Sequence, residues 1–131
     1  MSLPPGRRLG PYEIIAPIGA GGMGEVLKAK DTRLQRTVAV KVLPTHLSSD
    51  AERRGRFERE ARAASALNHP NITTVYDIGE DEGTHYIVME LVEGKTFREL
   101  MDEAPLSAKK MLPLATQIAE GLSKAHAAGI V

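Results

Sequence analysis

From Tyr12 onward apolar and polar positions alternate. Tyr12, Ile14, Ala16 and Ile18 fall on one side, with Glu13 and Ile15 on the other, which predicts a strand. Past a run of glycines, Val26, Lys28 and Lys30 alternate with Leu27 and Ala29 in a second strand. Residues 31–36 are polar and turn-like, and the β-branched stretch 37–43 reads as a third strand stopped by Pro44. Between residues 48 and 68 the period lengthens. Ser49 or Asp50 can cap a helix there, and Phe57, Glu60, Ala61, Ala64 and Leu67 line one stripe of it. Arg53, Arg54, Arg56, Arg59 and Arg62 mostly face elsewhere. Asn68-His69-Pro70-Asn71 reads as a turn. Two more strands, 72–78 and 85–91, flank the acidic turn 79–83. Thr96 and Glu99 form a capping-box signature that opens a short helix. Ser107 caps a longer helix with the stripe Met111, Leu114, Ile118, Leu122 and Ala125. Pro113 should kink that helix or delay its start, and Gly129 ends it.

Short connections let the five strands form one antiparallel sheet with a helix packed on it, an α+β fold followed by further helices. Residues 1–11, which include Pro4, Pro5, Gly6, Arg7 and Arg8, read as a flexible lead with no signal-peptide core. The remainder, 12–131, reads as one domain or a piece of one. Composition narrows its partners. Seventeen basic residues balance 17 acidic ones, so no net field favours nucleic acid or an anionic membrane. No apolar run approaches the roughly 18 residues of a membrane span. Cysteine is absent, which removes disulfides, thiolate metal sites and a cysteine nucleophile, and fits a reducing, cytoplasmic setting.

The candidate chemistry lies in Ile18-Gly19-Ala20-Gly21-Gly22-Met23-Gly24-Glu25-Val26 and in Ala39-Val40-Lys41. Glycines at 19, 21 and 24 let backbone N–H groups approach an anion. The same spacing occurs in dinucleotide-binding turns, where a helix follows the third glycine. Here a period-two segment follows, which argues against that fold and leaves a phosphate loop or an ordinary glycine hairpin. Lys41 favours the former. Ala39 and Lys41 share a strand face, so a small residue and a fixed charge border one cavity that Val26 can roof. Glu60 lies on the stripe that the helix turns to the sheet. A carboxylate buried there needs a cation, which Lys41 offers; at the stripe's margin it is solvated or pairs with Arg56 or Arg59.

Taken together, the glycine run, Val38-Ala39-Val40-Lys41, Phe57-Glu58-Arg59-Glu60-Ala61, Leu67-Asn68-His69-Pro70-Asn71-Ile72 and Val88-Met89-Glu90-Leu91-Val92-Glu93-Gly94 resemble the eukaryotic-like Ser/Thr protein kinases of bacteria. Leu27 stands where that family commonly has tyrosine. The resemblance implies an N-lobe and hinge over residues 12–92 and the start of a helical C-lobe over 93–131. It implies a kinase transferring the γ-phosphate of ATP, with Mg2+, to Ser/Thr hydroxyls of protein substrates. By resemblance, residues 19–24 cover the phosphates, and Lys41, held by Glu60, contacts the α/β-phosphates. Ile18, Val26 and Ala39 sandwich adenine, Met89 is the gatekeeper, and the Glu90 carbonyl and Val92 N–H bond the base at the hinge. His69 and His126 are structural. The His-Arg-Asp and Asp-Phe-Gly motifs that carry the base and metal ligands do not occur in the 131 residues. The resemblance therefore implies a chain catalytically incomplete alone, with residues 106–131 prone to disorder or aggregation for lack of partners. A nucleotide-binding scaffold that truly ends at Val131 stays open as the alternative.

Overall fold

The computed structural model describes residues 3–21, 24–44 and 49–130. The strands are β1 (Arg8–Leu9), β2 (Tyr12–Gly21), β3 (Gly24–Asp31), β4 (Arg36–Val42), β5 (Val75–Asp81) and β6 (Thr84–Glu90). They form one antiparallel sheet in the order β1-β2-β3-β4-β6-β5. Helix α1 (Ala51–Ser65) separates β4 from β5, and α2 (Phe97–Glu103) and α3 (Ala108–Ala127) follow β6. The sheet thus has a sixth strand beyond the five expected, supplied by the segment expected to be loose. Arg8 and Leu9 pair with Glu13 and Tyr12, and Leu9 is fully buried, because a leucine beside a strand edge gains more by burial than the backbone loses by ordering.

Alternation in the strands sets up two faces. Leu9, Tyr12, Ile14, Leu27, Ala29, Val38, Val40, Tyr86 and Val88 form the buried core on one face. The cross-strand pairs Leu27 with Val40 and Val40 with Val88 keep these residues together, since directly opposite residues share a side. The expected single face of β2 does not persist. Register shifts between Ile14 and Ala16 and between Pro17 and Gly19 break the alternation, so Ala16 pairs with Lys28 and Ile18 is half exposed.

The sheet curls until its two ends meet. The Tyr12 hydroxyl donates to Asp77 Oδ2 at 2.7 Å, and Gly10 N donates to Asp81 Oδ2 at 2.6 Å, joining the β1–β2 end to β5. Tyr12 and Tyr86 meet edge to face, with centroids 6.0 Å apart. There is no space for a side chain at Gly79, whose added Cβ would lie 2.5 Å from the Tyr86 hydroxyl oxygen. Burial first, and then the neighbouring Asp77, push the Tyr12 phenol up to about 12. The Tyr86 phenol is likewise raised by burial and by the charges of Asp77 and Asp81.

The helices start where their caps lie. Asp50 caps α1, accepting from Glu52 N and Arg53 N. Thr96 and Glu99 form the capping box of α2, and Ser107 caps α3. Pro113 does not delay α3, which runs from Ala108 as a continuous helix. Helix α3 docks at one point, and of the expected stripe only Leu114 and Ala125 are half-buried. Gly121 is buried, with an added Cβ 3.1 Å from Asn71 O, and Asn71 Nδ2 donates to Gln117 O. Met111, Leu112, Ile118 and Leu122 remain exposed. A glycine admits the helix backbone close to the 69–72 loop, while the larger apolar side chains stay uncovered by the described residues.

Candidate functional site

The face of the sheet opposite the core carries the predicted site. On β4 the core takes Val38 and Val40, leaving Ala39 and Lys41 on the reverse. The register places Val26 opposite Lys41 on one side and Ile87 opposite it on the other, with Met89 opposite Ala39. Val26, Ala39, Lys41 and Met89 therefore share one surface, with Ala39 buried and Lys41 half-buried. Beside it, β2 and β3 close a hairpin in which Gly21 pairs with Gly24. Gly22 and Met23 lie outside the described residues, as does the side chain of Ala20. Gly24 has φ +115°, and an added Cβ would lie 2.2 Å from the Val42 carbonyl oxygen, so the turn requires glycine there on two counts. The strands on both sides of the turn also exclude the dinucleotide-binding reading, which needs a helix after the third glycine.

Past β6 the chain leaves the sheet. Glu90 N donates to Thr74 O, and Glu90 Oε1 accepts from Thr74 N, so the end of β6 is held on both its backbone and its side chain. Val92 is 67% exposed. A cavity of 530 Å³ opens here, lined by Ile72, Glu90, Val92, Phe97, Leu100 and Leu114 among others. It touches the predicted surface only at Glu90 and Val92, and Lys41 does not line it.

The Lys41–Glu60 pair is not formed. Among the described residues neither side chain joins an ion pair, and Glu60 is exposed. The covered face of α1 runs through Arg54, Phe57, Glu58, Ala61 and Ala64, so the acid turned to the sheet is Glu58. Its Oε1 lies 3.9 Å from His85 Nδ1, and Glu80 Oε2 lies 3.8 Å from His85 Nε2. Sequence reasoning missed Glu58 and His85. Alternation along β6 does place His85 on the side of Ile87 and Met89, and that was the available signal.

The protein kinase domain family model matches residues 12–131. The chain belongs to the protein kinase family. It is 44% identical over 128 residues to the serine/threonine-protein kinase PrkC of Bacillus subtilis, covering 96% of this chain and 20% of that protein. It is 38% identical to PknD of Mycobacterium tuberculosis over 95% of this chain and 19% of the relative. Among solved structures, the Mycobacterium tuberculosis PknI kinase domain (C20A mutant) superposes with a TM-score of 0.87 at 34% identity, covering 98% of this chain and 53% of that one. The chain thus spans about a fifth of the length of these curated relatives and corresponds to the N-terminal part of the kinase domain. His69, in the loop between α1 and β5, accepts from Asn71 N at Nδ1, a contact that shapes the loop on which α3 rests.

Proposed function

We propose that this chain is the nucleotide-binding part of a Ser/Thr protein kinase, which transfers the γ-phosphate of ATP to protein hydroxyls. The observation that carries the reading is the single surface shared by Val26, Ala39, Lys41 and Met89 beside the glycine hairpin. In this reading adenine lies between Ile18, Val26 and Ala39 with Met89 behind it. Glu90 and Val92 meet its polar edge through the carbonyl of one and the N–H of the other. The glycine turn, residues 19–24, lies over the phosphates in this reading, with its backbone N–H groups towards their oxygens. Lys41 supplies the positive charge at the α/β-phosphates, and Glu60 holds it once the helix brings that carboxylate inward.

The family's chemistry uses Mg2+ to neutralise charge on the phosphates. In the family the Asp-Phe-Gly segment holds that ion, and this segment does not occur in the 131 residues, so the residues present do not fit that group. The bound nucleotide is positioned here, while the catalytic base and the metal ligands belong to protein outside these residues. The exposed Met111, Leu112, Ile118 and Leu122 of α3 support this division, because further protein covers an apolar face of this kind.

A trinitrophenyl derivative of ATP, fluorescent when bound, tests the reading on this chain directly. Saturable binding that ATP competes away is expected, with Lys41→Met weakening it about tenfold, the equivalent of about 1.4 kcal/mol. Phosphate transfer to a protein is not expected from residues 1–131 alone. Unchanged affinity in a folded Lys41→Met chain, or transfer at an ordinary kinase rate by the wild-type chain, refutes the assignment.

A further inference from the structure

The end of β6 is fastened from the face opposite the candidate nucleotide surface. Glu90 stands opposite Val38, whose side chain is in the core, while Ala39 and Met89 share the other face. The Glu90 side chain therefore leaves the sheet at the back and cannot touch a nucleotide lying on the front. There its Oε1 accepts from Thr74 N at 3.2 Å, and the Glu90 N–H donates to Thr74 O at 2.8 Å. Arg36, two residues before Val38, is on the same face and stacks on the Tyr76 ring, with Cζ 3.8 Å from its centroid. Because β6 runs between β4 and β5, that stack ties the two flanking strands together beside the end of β6.

These contacts act on a residue whose orientation matters for reading a base. One hydrogen bond fixes a distance and still lets residue 90 pivot. A second one, between the same two residues, fixes a direction, and the Glu90 carbonyl follows it. Adenine carries an amine donor at the position where guanine carries an oxygen, so a carbonyl held in place accepts from the first and repels the second. A carbonyl free to swing loses part of that discrimination. Strand β6 ends at Glu90, so the clamp is its last contact before the chain reaches Val92.

We infer that the Glu90 side chain is a positioning residue for base recognition: bound to Thr74 N on the back of the sheet, it holds the Glu90 carbonyl where it selects adenine over guanine. The inference rests on the reading of this surface as a nucleotide site, and adds to it a side chain that touches no nucleotide. Glu90 is exposed, so water competes for its carboxylate oxygen and the effect is modest.

Displacement of trinitrophenyl-ATP by ATP, GTP and inorganic tripolyphosphate tests the inference on this chain, with far-UV circular dichroism confirming that each variant is folded. ATP should displace the probe from the wild type at lower concentration than GTP does. In Glu90→Ala the ratio of ATP to GTP affinity should fall about threefold, with the loss on ATP and none on tripolyphosphate, which has no base. Glu90→Gln, whose carboxamide oxygen still accepts from Thr74 N, should recover most of the ratio. A merely structural role weakens all three competitors together, and a merely electrostatic one makes Glu90→Gln resemble Glu90→Ala. Either result overturns the inference, as does an unchanged ratio in Glu90→Ala. Should Glu90→Ala fail to fold, Glu90→Met, which keeps the length of the side chain without its oxygens, takes its place. The site reading is judged separately. If ATP competes no better than GTP in the wild type, or Lys41→Met binds the probe as the wild type does, that reading falls and the clamp with it. If both behave as expected while Glu90→Ala keeps the wild-type ratio, only the clamp falls.

Discussion

Replacing Tyr12 by phenylalanine removes one oxygen from the place where the two ends of the sheet meet. The ring stays, 2% exposed and packed against Tyr86, so the core loses no volume. What disappears is the O–H donated to Asp77 Oδ2 at 2.7 Å. A hydrogen bond to a charged acceptor contributes about 1.5–3 kcal/mol. Because the Asp77 side chain is 41% exposed, water partly replaces the lost donor, and the lower end, about 1.5 kcal/mol, is the expected cost. That corresponds to a fall of roughly 5 °C in Tm for a domain of this size. The alkaline limb gives a second reading of the same contact. The folded-state value near 12 exceeds the ordinary 10.0, so folding favours the neutral phenol. Its contribution is complete below pH 10, where the unfolded phenol begins to ionise, and is lost as pH rises towards 12. The shift of about two units sets a ceiling of about 2–3 kcal/mol on that loss. Tyr86 titrates in the same direction but remains in both proteins, so the difference between wild type and variant isolates Tyr12. Urea denaturation followed by circular dichroism, at neutral pH and through the alkaline range, measures the gap. It should close as pH rises, while affinity for the nucleotide probe at neutral pH stays unchanged, because the contact lies on the core side of the sheet. Equal stability at neutral pH, or a gap that stays constant into strong alkali, refutes the account of sheet closure.

Two further outcomes follow from close backbone approaches. Gly24→Ala forces a Cβ to 2.2 Å from the Val42 carbonyl oxygen at φ +115°, where neither neighbour is a flexible side chain; a loss on the order of 2 kcal/mol or more is expected in urea denaturation, with weaker nucleotide binding. Gly121→Val places a branched side chain where even a Cβ lies 3.1 Å from Asn71 O; amide hydrogen exchange in α3 should quicken about tenfold while β3 and β4 exchange as before, and unchanged protection of α3 would show that the helix docks elsewhere.

Local chemistry in the chain carried most of the strands, all three helix caps, the glycine hairpin and the shared face of Ala39 and Lys41. Each depends on residues adjacent in sequence: period two, an Asp, Thr or Ser before a helical run, a glycine where φ must be positive. The sheet register then added Val26 and Met89 to that face, the first foreseen from the hairpin and the second through family resemblance. What the sequence did not settle were choices between near-equal local options. The stripe of α1 spans an arc with Glu60 on one margin and Glu58 on the other, and helical periodicity alone does not say which margin turns inward. Strand β5 and His85 decide it, since the helix packs on the edge strand rather than over Lys41. The register shifts in β2, the recruitment of Leu9 and the closure of Tyr12 onto Asp77 are similar cases, in which partners far apart in sequence set the outcome. On α3 the point of docking is a buried glycine that the apolar stripe did not indicate, because close approach of two backbones depends on the shape of the loop it meets, and no residue of the helix itself encodes that shape.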